Sequence, residues 1–135
     1  MFIKEKIKDN DVVYIPSASI GLFMVQNIPD DLHIRVVTNS IVLAAELRAR
    51  DNVRVILLGG EMDDRGNCCD AIAVEQIRKL RYDKCFMTAA SISADFGMSI
   101  QKSQAISYKN AAMDSAKVTI GLFPREKVGF ESIVS

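Results

Sequence analysis

Net charge is what this sequence lacks most plainly: 17 lysine and arginine residues are cancelled by 17 aspartate and glutamate residues, with a pI near 6.6. A dedicated nucleic-acid binder carries a basic excess, because phosphate contacts supply most of its non-specific affinity. Direct nucleic-acid binding by this chain is therefore disfavoured. No apolar run approaches the roughly 20 residues that span a bilayer. The opening Met1-Phe2-Ile3-Lys4-Glu5-Lys6 introduces charge too early for a signal peptide. A cytoplasmic location and no membrane partner are the expectations. Cys-x-x-Cys spacing is missing too: the cysteines are Cys68, Cys69 and Cys85, with no histidine nearby. That pattern suits free thiols in a reducing cytoplasm, with no metal and no cofactor expected. No internal repeat, low-complexity tract or linker interrupts the chain, so residues 1–135 read as one domain. With 49% hydrophobic residues, that length suffices for an ordinary core.

What is present is a regular alternation. Val12 to Ile15, Ile34 to Thr38, Val53 to Leu58, Cys85 to Thr88 and Lys117 to Leu122 read as strands rich in β-branched and apolar residues. Between them Ser19 to Asn27, Ser40 to Arg50, Asp70 to Leu80 and Ser103 to Ala116 carry helical spacing. Continuous apolar strands separated by helices of about ten residues imply a parallel sheet covered on both faces. Right-handed crossovers then give an open, doubly wound, mainly parallel α/β domain. The closing Ile133-Val134-Ser135 looks apolar and unfinished, as if a further strand were missing.

Ligands of open α/β sheets lie beyond the carboxyl ends of the strands. There the sequence places Pro16 to Ser19, Thr38 to Ser40, Gly59-Gly60, Ala89 to Gly97 and Phe123 to Lys127. Small or hydroxyl side chains next to helix starts attract anions, since free amides and the helix dipole point at the ligand. Ser17, Ser19, Thr38, Asn39, Gly59, Gly60 and Lys127 are accordingly the candidate ligand-binding residues. Each has a plainer explanation beside it. Ser17, Ser19 and Ser40 can be helix caps, and Gly59-Gly60 can simply end a strand. Asn39 suits an Asx turn or a sugar hydroxyl. His33 starts a strand at the opposite edge, and Arg78, Lys79, Arg81 and Lys84 read as a solvated helix end. Met24, Met87, Met98 and Met113 read as core filler. Glu61, Asp63 and Asp64 are the only clustered carboxylates near the crevice, and no second group at fixed spacing makes a catalytic base of them. No catalytic residue is assigned.

Val36-Val37-Thr38-Asn39-Ser40, Val55-Ile56-Leu57-Leu58-Gly59-Gly60, Leu80-Arg81-Tyr82-Asp83-Lys84-Cys85-Phe86 and Gly97-Met98-Ser99 occur in one order and spacing. Together they resemble the C-terminal effector-sensing domain of DeoR-family transcriptional regulators, from about Ile7 to Phe130. The resemblance implies the fold shared by ribose-5-phosphate isomerase, glucosamine-6-phosphate deaminase and coenzyme A transferases. It implies a ligand-sensing and oligomerisation domain of a bacterial sugar-metabolism regulator, a phosphorylated sugar as effector, and DNA contact only through an upstream helix-turn-helix domain absent here. On that reading the chain is a fragment of a longer regulator and not an enzyme, and it self-associates through an all-round apolar first helix. A small sugar-phosphate isomerase and an interaction module without ligand are the alternative readings. Pro16, Ile20, Asp70, Gln104 and Pro124 depart from the family pattern. Asp70, if turned inward, would repel a phosphate.

Overall fold

The computed structural model describes residues 5–16, 19–88, 100–125 and 129–134, with side chains described for these except 19–20, 88, 100–102, 123–125 and 129–134. In chain order the elements are β1 (Val12–Tyr14), α1 (Ser19–Gln26), β2 (Ile34–Thr38), α2 (Ile41–Leu47), β3 (Val53–Leu57), α3 (Ala71–Arg78), β4 (Tyr82–Thr88), α4 (Ile100–Asp114), β5 (Ala116–Arg125) and β6 (Gly129–Val134). They build one sheet in the order β3-β2-β1-β4-β5-β6. Strands β1 to β5 run parallel, and β6 returns antiparallel along β5.

Alternation along the strands feeds two cores. Val13, Val36, Val53, Phe86 and Ile120 point to the face covered by Met24 and Val25 of α1 and by Leu43 and Leu47 of α2. Tyr14, Val37, Cys85 and Met87 point to the other face, under Ala73 and Ile77 of α3 and Tyr108, Ala111 and Ala112 of α4. This burial holds the helices, because seven-residue α2 is far too short to persist in isolation. Each fully buried Leu, Ile or Met contributes about 1.5–3 kcal/mol. The chain changes face after β3, when α3 carries it past β1 to start β4. The topological switch point therefore lies between β1 and β4.

Most expected elements are present, with three differences. β4 starts at Tyr82, three residues before the apolar run, because its charged residues find partners at the strand's amino end. The Asp83 carboxylate accepts from the Val12 amide at 2.8 Å, and Lys84 pairs with Asp11 at 2.6 Å. β5 continues through Phe123, Pro124 and Arg125, which read as a loop in the sequence. Beyond Leu122 it pairs with β6 and no longer with β4, so Pro124 interrupts no central ladder. Finally, the segment that looked like the stub of a missing strand is itself strand β6, in register Ile120↔Val134 through Arg125↔Gly129.

Candidate functional site

The carboxyl ends of β1, β2 and β3 bring Thr38, Asn39, Gly59 and Gly60 to one edge of the sheet. Ser17 and Lys127 lie outside the described residues; Ser19 opens α1, with its side chain undescribed. Thr38, Asn39 and Ser40 are buried, and their polar atoms are committed inside the chain. The Ser40 amide donates to Thr38 Oγ1 at 3.2 Å, while Ser40 Oγ accepts from the Leu43 amide at 3.2 Å and so caps α2. Asn39 Oδ1 accepts from the Tyr14 hydroxyl at 3.0 Å; its Nδ2 donates to the Cys68 carbonyl at 2.8 Å and lies 3.2 Å from Cys69 Sγ. Asn39 thus ties β1, β2 and the loop before α3 into one unit.

The loop after β3 is held in the same way. Gln76 of α3 grips Gly59 twice: the Gly59 amide donates to Gln76 Oε1 at 3.0 Å and its carbonyl accepts from Nε2 at 3.4 Å. Asp70 turns its carboxylate onto backbone amides. It is the N-cap of α3, with Oδ1 accepting from the Ala73 amide at 3.1 Å and Oδ2 from the Glu61 amide at 2.8 Å. Those two amides hold its carboxyl below the usual aspartate range. Asp63 Oδ1 accepts from the Arg65 and Asn67 amides and closes its own loop. His33 sits at the amino end of β2 against Asp9, away from this edge. Arg81 donates to the Arg78 and Leu80 carbonyls, finishing the turn after α3.

Beneath this edge lies an aromatic and thiol layer that the sequence reading passed over. The Tyr14 ring stacks on Tyr82 at 6.2 Å and meets Tyr108 at 6.1 Å. Burial pushes all three hydroxyls well above the ordinary tyrosine range, and pushes the Cys85 thiol up to about 12. The Tyr82 hydroxyl donates to the Ala112 carbonyl, locking β4 to α4. These groups stay protonated at neutral pH and are poor nucleophiles. Spacing could not have exposed the layer, since its members come from strands and helices far apart in sequence.

The starts of α2 and α3 satisfy their own amides through Ser40, Asp70 and the Gly66 carbonyl, which accepts from the Ile41 amide at 2.9 Å. α1 begins beside the switch point, directly after β1. A doubly wound domain of this order belongs to the class that takes small molecules beyond the strand ends. The family of DeoR C-terminal sensor domains matches residues 2–135, and the chain belongs to it. Membership gives the chain a ligand-sensing, regulatory role. The HTH-type transcriptional regulator GolR of Listeria innocua is 22% identical over 130 residues, which cover 96% of this chain and 51% of that protein. The chain spans about half the length of that curated relative. Among the described residues, no helix is long and apolar enough to cross a membrane.

Proposed function

We propose that the chain senses a phosphorylated sugar for a DNA-binding regulator, with the phosphate seated where α1 begins, between the ends of β1 and β4. The observation that carries this reading is the switch point of a sensor-family sheet with a helix start beside it. An anion there meets the positive end of a helix dipole. Ser17, Ser19 and Lys127 are the ligand contacts on this reading. Thr38, Asn39, Gly59 and Gly60 shape the floor from behind, since the described polar contacts of Asn39 and Gly59 face inward. On this reading the site binds and does not turn over; among the described residues, Asp63 and Asp70 of the loop after β3 spend their carboxylates on backbone amides, which supports it.

Calorimetry against a panel of sugar phosphates, with inorganic phosphate as reference, tests the assignment. A cognate ligand at 100 times its dissociation constant should raise stability by about 2.7 kcal/mol. Lys127→Ala should weaken binding while leaving the melting temperature of the free protein unchanged. Absence of binding by the whole panel, or binding indifferent to Lys127→Ala and Ser17→Ala, removes the proposal.

Self-association belongs to the same reading. Of the first helix region, Met24, Val25 and Ile28 are buried within the chain, while Phe23 stays exposed. Further exposed apolar side chains lie at the starts of α2 and α3 and on the loop before α3: Ile41, Val42, Met62 and Ile72. Exposed apolar groups so placed suit contact with a second copy. Sedimentation at micromolar concentration should show a dimer or larger species that Val42→Glu dissociates; a strict monomer removes this part.

A further inference from the structure

Along one side of the sheet β3 presents a border that is unpaired among the described residues. The ladder fixes which backbone groups face out. The Ile34 amide donates to the Asn52 carbonyl at 3.2 Å and the Leu58 amide to the Thr38 carbonyl at 2.9 Å, so residues 52 and 58 face β2. Every second residue of a parallel strand does so. Residues 54 and 56 share that direction, and Val55 and Leu57 turn their amides and carbonyls outward. Among the described residues β3 is the terminal strand of the sheet, with β2 as its one neighbour.

Beside this border lies charge without a partner. Arg35 of β2 and Arg54 of β3 are direct register partners on one face, both exposed. Like charges placed so are mutually unfavourable. Among the described residues neither arginine meets a carboxylate: Asp11 pairs with Lys84, Asp83 with Lys117, Asp9 with His33 and Asp30 with Arg50. Asp51 lines the neighbouring hollow together with Arg35 and Arg54, and forms no ion pair among the described residues. The two guanidinium groups flank an open groove of about 470 Å³ over Val55 and Ile56, continuous through Arg35 and Arg54 with a second hollow of about 320 Å³.

We propose that this groove takes an extended, acidic polypeptide segment that adds to β3 as a further strand. The backbone of Val55 and Leu57 supplies the hydrogen bonds. Carboxylates on one face of the segment lie over Arg35 and Arg54, where the bond is charge-assisted and relieves the arginine repulsion. Apolar residues on the alternate face meet Val55 and half-exposed Leu57. A second copy pairing β3 to β3 about a two-fold axis is disfavoured, because it would bring the arginine pairs of both copies together. The groove lies against the outward amides and carbonyls of β3, which suits an extended chain better than a compact ion.

A capped peptide alternating valine and glutamate is the probe, titrated by fluorescence anisotropy at low salt; the same peptide with lysine for glutamate is the control. The glutamate peptide should bind and the lysine peptide should not. An Arg35→Ser, Arg54→Ser double variant should weaken binding by about tenfold or more. Val55→Pro, which removes an outward amide from an edge strand, should do the same. If Val55→Pro proves unfolded by its melting curve, a glutamate peptide N-methylated at its backbone asks the same question of the unaltered protein. Failure of the glutamate peptide to bind overturns the proposal. So does binding that inorganic phosphate displaces while both backbone changes are without effect, since that marks a small-anion site.

Discussion

Oδ1 of Asp70 occupies the space where a side chain on Gly60 would begin: a Cβ built on Gly60 lies 2.2 Å from it. Gly60 also holds a φ of +151°, which side chains rarely adopt. The same carboxylate caps α3 and takes the Glu61 amide. One acidic residue therefore sets both the start of a helix and the path of the loop after β3.

Gly60→Ala should cost about 1–3 kcal/mol from backbone strain alone, and Asp70→Ala about 1–2 kcal/mol from the lost cap. The two should not add. With Asp70 already shortened, the close approach is gone and Gly60→Ala should cost less. Urea denaturation of both single variants and the double variant measures this coupling; strictly additive losses would refute it.

Gly21 offers a second, independent case. A Cβ there would sit 1.8 Å from the Pro16 carbonyl oxygen, which is backbone and cannot swing aside. Alanine normally gains about 1 kcal/mol over glycine inside a helix. Here the clash should outweigh that gain, and Gly21→Ala should lower stability by about 1–3 kcal/mol, as overpacking does. A rise in melting temperature would show that α1 can move away from Pro16 freely.

Asn39→Ala should destabilise the fold before any ligand is considered. It leaves the buried Tyr14 hydroxyl and the Cys68 carbonyl without their partner, at about 1–3 kcal/mol for each group. Tyr14→Phe in the Asn39→Ala background should recover part of the loss, because it removes one orphan. Thermal melts of the three variants decide the matter. Any fall in effector affinity seen with Asn39→Ala alone must therefore be read against its stability.

Stability should fall on the alkaline side. Burial pushes the Cys85 thiol from its usual 9.0 up to about 12, and pushes Tyr14, Tyr82 and Tyr108 upward from 10.0. Above about pH 9 the unfolded chain releases protons that the folded chain retains, so it binds fewer of them and is favoured as pH rises. The Cys85 contribution is fully present below about pH 9 and is lost as pH climbs through about 12, at up to about 1.4 kcal/mol per pH unit. Tyrosines add to the slope from about pH 10. Urea midpoints measured from pH 8 to pH 11 should decline ever more steeply, and Cys85→Ala should flatten the first part of the curve. A flat profile would contradict the buried, protonated layer.

The elements themselves were legible because local pattern suffices for them. The β-branched run Ile34 to Thr38 became β2 without adjustment, and Ser40 capped α2 as its position before an apolar helix suggested. Charged and proline-containing stretches misled: Asp83 and Lys84 entered β4, and Pro124 entered β5, because partners distant in sequence met their needs.

The sequence by itself determined the strand–helix alternation and the doubly wound parallel sheet, since side-chain periodicity and helix caps act over a few residues; the family was legible in four short segments that keep one order and spacing. Which polar groups remain free for a ligand was decided only by tertiary structure. Asn39 reads as an available amide until Tyr14, 25 residues before it, and Cys68, 29 residues after it, fill its hydrogen bonds. Arg35 and Arg54 read as ordinary surface charges until the β2–β3 register sets them side by side on an open edge. A hydrogen-bonding group is satisfied or left free by whatever the fold brings within about 3 Å of it, and that neighbour is chosen by topology rather than by the adjacent residues.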